Sequence, residues 1–299
     1  MTFNKMLENK PQYIDIHSHV NFEAFKEDRD EVVKRALNNK TWMINVGTQI
    51  GTSKSAVALA EKYDKGVYAI VGLHPVHTDK SYHDEKELGE GGKEFTSRGE
   101  IFDALEYEKL LNHPKVVGIG ECGLDYFRLE LKGERLKEEG ILEKQEEIFR
   151  KHIELAIKCN KPLMLHLRSG AGRSAYQDAA RILKSYNFNL KSAPGDVHFF
   201  AGSWREAKLF LDMDFKLSFT GVITFVRDYD EVVKNAPIES LMSETDCPYV
   251  TPTPYRGKRN EPFYVKEVAH AIANIRGEEV EKVKKALVQN ALTFFKIAL

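Results

Sequence analysis

Seven side chains able to bind a cation or move a proton are spread along this 299-residue chain, and each closes or follows a short β-rich run. His17 and His19 follow Tyr13 to Ile16, His74 follows Val67 to Val71, Glu121 follows Val116 to Ile119, His166 follows Leu163 to Leu165, His198 lies within Asp196 to Phe199, and Asp246 follows Ser240 to Met242. In extended chain, residues two apart project to the same side, so His17 and His19 form a chelating H-x-H pair. Imidazole nitrogens mixed with carboxylates suit zinc, manganese or iron, and magnesium where more waters take part. Setting His74 aside, four histidines and two carboxylates exceed what one tetrahedral ion needs. The economical reading is two divalent metal cations (Mg, Mn or Zn) sharing a bridging carboxylate. Two ions about 3.5–4 Å apart fit in-line displacement at a phosphodiester. The plain alternative is six groups hydrogen-bonded separately in a polar interior.

Such scattered groups meet only if the fold brings the ends of the runs together. Two further β-rich runs, Met43 to Val46 and Lys216 to Phe219, bring the strand candidates to eight. Amphipathic stretches alternate with them, including Asp30 to Asn38, Thr52 to Tyr63, Ile141 to Cys159, Ala175 to Tyr186 and Ser203 to Met213. Strand and helix repeated eight times predicts an α/β fold of parallel strands, a (β/α)8 TIM barrel, as a single domain over residues 1–299. In that fold the C-terminal strand ends form one ring, which is where the seven residues sit. An open doubly wound sheet is disfavoured, because neither G-x-G-x-x-G nor G-x-x-x-x-G-K-[ST] follows any strand. The last helical stretches, Glu261 to Ile275 and Glu278 to Ile297, are expected to close the barrel or cover its N-terminal opening. Two long polar segments, Asp79 to Glu100 and Arg128 to Gly140, follow strands and read as insertions on the catalytic face. The first, with Gly89, Gly91 and Gly92 and charges of both signs, reads as a lid or rim rather than a polyanion clamp, or else as a solvated loop.

Composition is that of an ordinary globular protein, 42% hydrophobic and 30% charged. A net charge of -1 gives no global attraction for a polyanion, so nucleic-acid binding has to come from a local basic patch or from metal ions. Three widely separated cysteines, Cys122, Cys159 and Cys247, form no zinc ribbon or redox pair and fit a reducing compartment. No signal-peptide core and no membrane-spanning run is present in the sequence, so a soluble cytoplasmic protein is expected, with no membrane and no obligate protein partner.

Taken together, I-D-I-H-S-H, V-G-L-H-P, V-G-I-G-E-C-G-L-D-Y, Q-E-E-I-F-R-K-H-I-E-L-A, P-L-M-L-H-L-R-S, H-F-F-A-G, S-E-T-D-C-P-Y-V-T-P and Y-R-G-K-R-N-E-P span nearly the whole chain. In this order they resemble the TatD family of metal-dependent deoxyribonucleases, within the wider amidohydrolase-like group. The resemblance implies that His17, His19, Glu121 and Asp246 hold one ion and that Glu121, His166 and His198 hold the second, with Glu121 bridging. The fourth strand ends in G-I-G-E, so the carboxylated lysine found there in some relatives is not required. The implied activity is hydrolysis of DNA or another nucleic acid, single-stranded and from strand ends, by a water that the cations acidify. Asp246 would hold a cation and accept the water's proton; the Cys-Pro that follows it argues against a helix-cap role. His74 would orient or protonate the substrate phosphate. The family often has a histidine two positions after that one, whereas here Val76 stands there and His77 follows. An amidohydrolase or esterase, or a scaffold that keeps its metals for stability, are the competing readings.

Around this centre, Glu244 reads as an acceptor behind a liganding histidine, or as the partner of a nearby basic residue. Arg168, Arg256, Lys258 and Arg259 are the expected phosphate contacts. Tyr126, Phe127, Phe199 and Phe200 either stack on unpaired bases or pack between barrel and helices. Cys122 and Cys247 are expected to be small buried residues, Asn260 and Pro262 to start a helix, and His83, His113, His152 and His270 to take surface or cap roles.

Overall fold

The computed structural model describes residues 10–83, 95–127, 135–170, 172–186 and 194–299. Eight parallel strands lie in chain order around a barrel: β1 (Tyr13–Ser18), β2 (Thr41–Val46), β3 (Val67–Val71), β4 (Val116–Asp125), β5 (Leu163–Arg168), β6 (Gly195–Val197), β7 (Lys216–Phe219) and β8 (Leu241–Ser243). The seam is closed just beyond β8. There Asp246 N–H donates to His17 C=O at 2.9 Å, and His19 N–H donates to Cys247 C=O at 2.9 Å. Helices α1 (Arg29–Asn38), α2 (Ile50–Glu61), α3 (Ala104–Leu111), α4 (Arg135–Cys159), α5 (Ala175–Leu183), α6 (Trp204–Leu211), α7 (Asp230–Asn235), α8 (Val265–Arg276) and α9 (Val280–Phe294) alternate with or follow the strands. The expected (β/α)8 barrel is the fold observed. Local signals set several helix starts: Ser174 caps α5 through Gln177 N–H, and Ser203 with Glu206 forms a capping box on α6.

The apolar residues divide into two clusters. One lies between strands and helices, with Met43, Val71, Leu165, Leu217 and Phe219 packed on Ala56, Phe149, Ile182 and Phe210. The other fills the barrel interior with Ile14, Ile16, Ile44, Ile70, Met164 and Met242, against Ala291, Leu292, Phe294, Phe295 and Ile297 at the end of the chain. Each such fully buried side chain contributes roughly 1.5–3 kcal/mol. The terminal helix thus plugs the N-terminal opening of the barrel and leaves the opposite mouth for polar groups.

Both polar segments differ from plain loops. Within the first, Lys80–His83 pairs antiparallel with Phe95–Arg98, Lys80 opposite Arg98 and His83 opposite Phe95. Its glycines lie outside the described residues. In the second, residues 128–134 lie outside them as well, whereas from Arg135 onward the chain is already α4. Leu, Lys, Arg and Glu are good helix formers, which is why the helix begins before Ile141.

Candidate metal centre

The parallel register breaks at two places that matter, between Asp15 and Ser18 on β1 and between Gly120 and Cys122 on β4. Ile14 and Ile16 pack into the barrel interior. Strict alternation would therefore turn His17 away from the axis, and the break beside it restores His17 to the mouth. Glu121 sits on the second break. Asp246 takes a left-handed backbone, φ 54°, which Asp tolerates better than most residues and which aims its carboxylate at the pair on β1.

The six predicted ligands converge on one another. Glu121 Oε1 lies 2.9 Å from His166 Nδ1 and 3.0 Å from His198 Nε2, and Oε2 lies 3.4 Å from His17 Nε2. Asp246 Oδ1 is 3.2 Å from His19 Nε2 and 3.7 Å from His17 Nε2. Burial pushes the Glu121 carboxyl up, yet the imidazoles of His74, His198 and His17 outweigh it and hold the group well below its ordinary value. Burial lowers His198 and His166, but the carboxylates facing them prevail and raise both. The carboxylates thus favour positive charge on the rings beside them, and a divalent cation bound there would supply that charge instead.

What lies behind the rings tells which nitrogen faces a metal. His19 Nδ1 donates to Val46 C=O at 3.0 Å, His166 Nε2 donates to Asp125 Oδ2 at 2.8 Å, and His198 Nδ1 faces Glu244 Oε1 at 3.3 Å. In each case the opposite nitrogen is left to point at Glu121 or Asp246, the arrangement by which metal-ligating histidines are oriented. The groups His17, His19, Asp246 and His17, Glu121, His198 each bring their ligand atoms within 4.8 Å of one another. Buried imidazole and carboxylate donors in this arrangement fit divalent cations.

His74 is different. Its Nδ1 accepts from Val76 N–H at 3.2 Å, so the proton sits on Nε2, which lies 3.1 Å from Glu121 Oε1. Although His74, Glu121 and His166 also meet the spacing for a metal group, a protonated Nε2 donates rather than ligates. Burial lowers its pKa to about 4, so His74 is a neutral donor.

Glu244 is the expected acceptor behind His198, and it also accepts from Phe199 N–H at 2.6 Å. Asp125 and His152 were not anticipated. Asp125 is held by Gln145, whose side chain bonds its N–H at 2.9 Å and its C=O at 3.1 Å. Its position inside E-C-G-L-D-Y was the available signal. His152 is fully buried rather than on the surface. Its Nδ1 donates to Ile148 C=O at 2.8 Å and its Nε2 accepts from Leu73 N–H at 3.0 Å, fixing the end of β3 beside His74. Helical period alone could not separate this inward position from a cap.

The basic residues separate by partner. Arg168 lies over the Phe127 ring at 3.7 Å and borders a cleft of about 560 Å³ between the β5–α5 and β6–α6 loops. Arg256 lies over Phe225 at 4.3 Å and donates to Thr251 C=O at 2.8 Å. Lys258 is exposed on the same loop. Arg259, by contrast, is engaged by Asp28 at 2.9 Å and stacks on buried Phe25. That engagement occupies its guanidinium with a protein carboxylate and makes it a tie between the β8 loop and the segment before α1. Of the aromatics, Tyr126 and Phe200 are buried in the core, where they pack rather than stack on a base; Phe199 is half-buried and Phe127 exposed. Cys122 and Cys247 are buried as expected. Asn260 is buried and bonds Thr245 C=O and Tyr249 C=O, and a short 3-10 turn, Pro262–Tyr264, leads into α8. His113 pairs with Glu61 at 3.0 Å, and the Tyr13 hydroxyl meets His270 at 3.3 Å. His83 lies in the hairpin.

A family model described as TatD related DNase matches residues 14–296. An uncharacterized metal-dependent hydrolase of Bacillus subtilis, YabD, is 36% identical over 286 residues, covering 95% of this chain and 98% of the relative. An uncharacterized metal-dependent hydrolase of Methanocaldococcus jannaschii is 30% identical, covering 95% of this chain and 97% of its own. Among solved structures, the TatD homolog YJJV of Escherichia coli K12 superimposes with a TM-score of 0.76 at 26% identity, covering 96% of this chain and 99% of that one.

Proposed function

Given that this chain belongs to the TatD-related DNase family of metal-dependent hydrolases, we propose that it is a two-cation phosphodiesterase that shortens single-stranded DNA from its ends. The observation that carries the reading is the pair of overlapping donor groups, His17 with His19 and Asp246, and His17 with Glu121 and His198, at the end of the barrel where Arg168 closes β5 and Arg256 follows β8. His17, His19 and Asp246 would hold one divalent cation, His166 and His198 the other, with Glu121 between them. Bound there, the cations supply Lewis acidity, lowering the pKa of a water and neutralising charge on the phosphoryl oxygens.

The chain's own groups do the rest. Asp246 is the ligand carboxylate with the most open side chain, 15% against 5% for Glu121, so it is the group placed to take the attacking water's proton. His74, neutral and protonated at Nε2, donates a hydrogen bond to a non-bridging phosphate oxygen rather than a proton to the leaving group. Arg168, Arg256 and Lys258 contact the neighbouring phosphates. Three free thiols fit a reducing, cytoplasmic setting, and no described helix is long and apolar enough to cross a membrane.

The test is hydrolysis of end-labelled single- and double-stranded DNA and RNA beside a panel of small esters and amides. Each is assayed with chelator and after return of magnesium, manganese or zinc. Progressive shortening of single-stranded DNA that chelator abolishes is expected. Turnover confined to esters or amides overturns the proposal.

A further inference from the structure

We propose that the mouth grips one unpaired strand at two fixed platforms three positions apart in the ring, each a guanidinium over an exposed phenyl ring. This rests on the phosphodiesterase reading and adds the residues that select an unpaired strand. The platforms are Phe127 with Arg168 and Phe225 with Arg256. Phe127 and Phe225 are each 41% exposed, and every other aromatic ring in residues 10–79, 99–127, 139–170, 172–186 and 194–299 is more deeply buried. A folding chain gains by burying such rings. Here both are held out at the catalytic face, and Phe127 meets Arg168 at the end of β5 at 3.7 Å while Phe225 meets Arg256 from the loop after β8 at 4.3 Å.

The two sites are built independently, and both are braced. Phe127 stands two residues past Asp125, whose Oδ1 accepts the Phe127 N–H at 3.0 Å while Oδ2 holds His166. The first platform is therefore tied to a predicted ligand. Phe225 ends the 3-10 turn Gly221–Thr224 after β7. That turn is locked to the β8 loop: Thr253 N–H donates to Thr224 Oγ1 at 2.9 Å, and a Cβ on Gly221 would lie 2.5 Å from Val250 C=O. In the closed ring of eight strands, the β4–β5 loops and the β7–β8 loops lie three positions apart. His198, the residue after β6, lies on the short arc between them, and the β1 pair on the long arc. A strand that touches both platforms therefore has His198 on one side of it in the ring and the β1 histidines on the other.

A phenyl ring offers its face to any base, and a guanidinium offers both a stacking plane and a phosphate contact. Bases inside a duplex are covered on both faces by their stacked neighbours, so this combination selects unpaired nucleotides with little sequence preference. Fixed platforms also reduce the ordering cost of binding.

Binding of a fluorescent, hydrolysis-resistant phosphorothioate single strand to the full-length protein, followed by anisotropy, tests this. Phe127→Ala and Phe225→Ala should each weaken binding roughly 5- to 100-fold, the range expected for loss of one stacked base. The double variant should show the product of the two losses, because one strand engages both sites. The dependence on salt should stay as in the parent for the phenylalanine variants and become shallower for Arg168→Gln and Arg256→Gln. Thermal midpoint and metal content report that each variant is folded and loaded. A double variant no weaker than the single ones overturns the shared grip, and single variants that bind as the parent does overturn the platforms while leaving the phosphodiesterase reading intact. A parent protein that binds and cleaves no polynucleotide overturns both.

Discussion

Replacing Asp125 by Asn tests whether the groups behind the imidazoles decide how the centre holds cations. The carboxylate has two acceptor duties: Oδ2 takes His166 Nε2–H at 2.8 Å and Oδ1 takes Phe127 N–H at 3.0 Å. An amide has one acceptor oxygen and one donor nitrogen, so it cannot serve both. If the oxygen faces His166, the imidazole keeps its tautomer but loses an anionic partner, and the amide nitrogen opposes Phe127 N–H. If the nitrogen faces His166, the ring must move its proton to Nδ1, the atom that points at Glu121 Oε1, and a ligand is lost. Loss of such a partner typically weakens metal binding about 10- to 100-fold, or roughly 1.4–2.8 kcal/mol. The first orientation sets the lower bound and the second the upper. The backbone of Asp125 stays in place because Gln145 brackets it. Competition between metal-free protein and a chromophoric chelator measures the affinity, and circular dichroism confirms the fold. An affinity within about twofold of the parent, in a folded Asp125→Asn variant, would refute the reasoning.

Glu121→Gln removes the charge shared by both cation positions and should lower total metal content below that of His198→Ala, as elemental analysis will report; equal content in parent and Glu121→Gln rules out a bridging role. Asp246→Asn should cut phosphodiester turnover by several orders of magnitude with unchanged circular dichroism, and a near-parental rate at saturating metal removes Asp246 from proton handling. Replacing Ser81 to Ser97 by a short Gly-Ser linker should leave metal content intact, because none of the six ligands lies there, and should change the ratio of single- to double-strand cleavage; an identical ratio reduces the hairpin to decoration. His152 titrates near 4 in the folded chain because burial disfavours its charged form, against an ordinary value of 6.5, so the unfolded chain binds its proton first as pH falls. The stability it permits is complete above pH 6.5 and is lost on the order of 3 kcal/mol as pH falls toward 4. Urea midpoints at pH 7 and pH 5 should therefore converge more closely in His152→Gln than in the parent, and equal slopes exclude His152 as the source.

The barrel and the convergence of the six candidate ligands were legible because both depend on patterns that chain order preserves. Alternating β-rich and amphipathic runs specify parallel strands, and a closed ring turns strand ends distant in sequence into neighbours. What supports the ligands was less legible because it depends on contacts that cross the ring. Glu244 reaches His198 over 46 residues and Asp125 reaches His166 over 41, and no spacing rule distinguishes such an acid from a solvated one. Of the two, Glu244 was found because it sits two residues from a ligand on the same strand end, whereas Asp125 lies four beyond Glu121, past a register break that shifts the alternation. The same limit governs the arginines. Arg168, Arg256 and Arg259 look alike as charges near strand ends, yet Asp28 claims only the last, and its Asp28 partner is 231 residues away in sequence. Expectations from H-x-H spacing also needed the break on β1: with Ile14 and Ile16 packed inward, uninterrupted alternation would have put His17 and His19 on the wrong side of β1. Spacing thus identified the pair, and a local irregularity that spacing cannot encode is what turns it toward the metal centre.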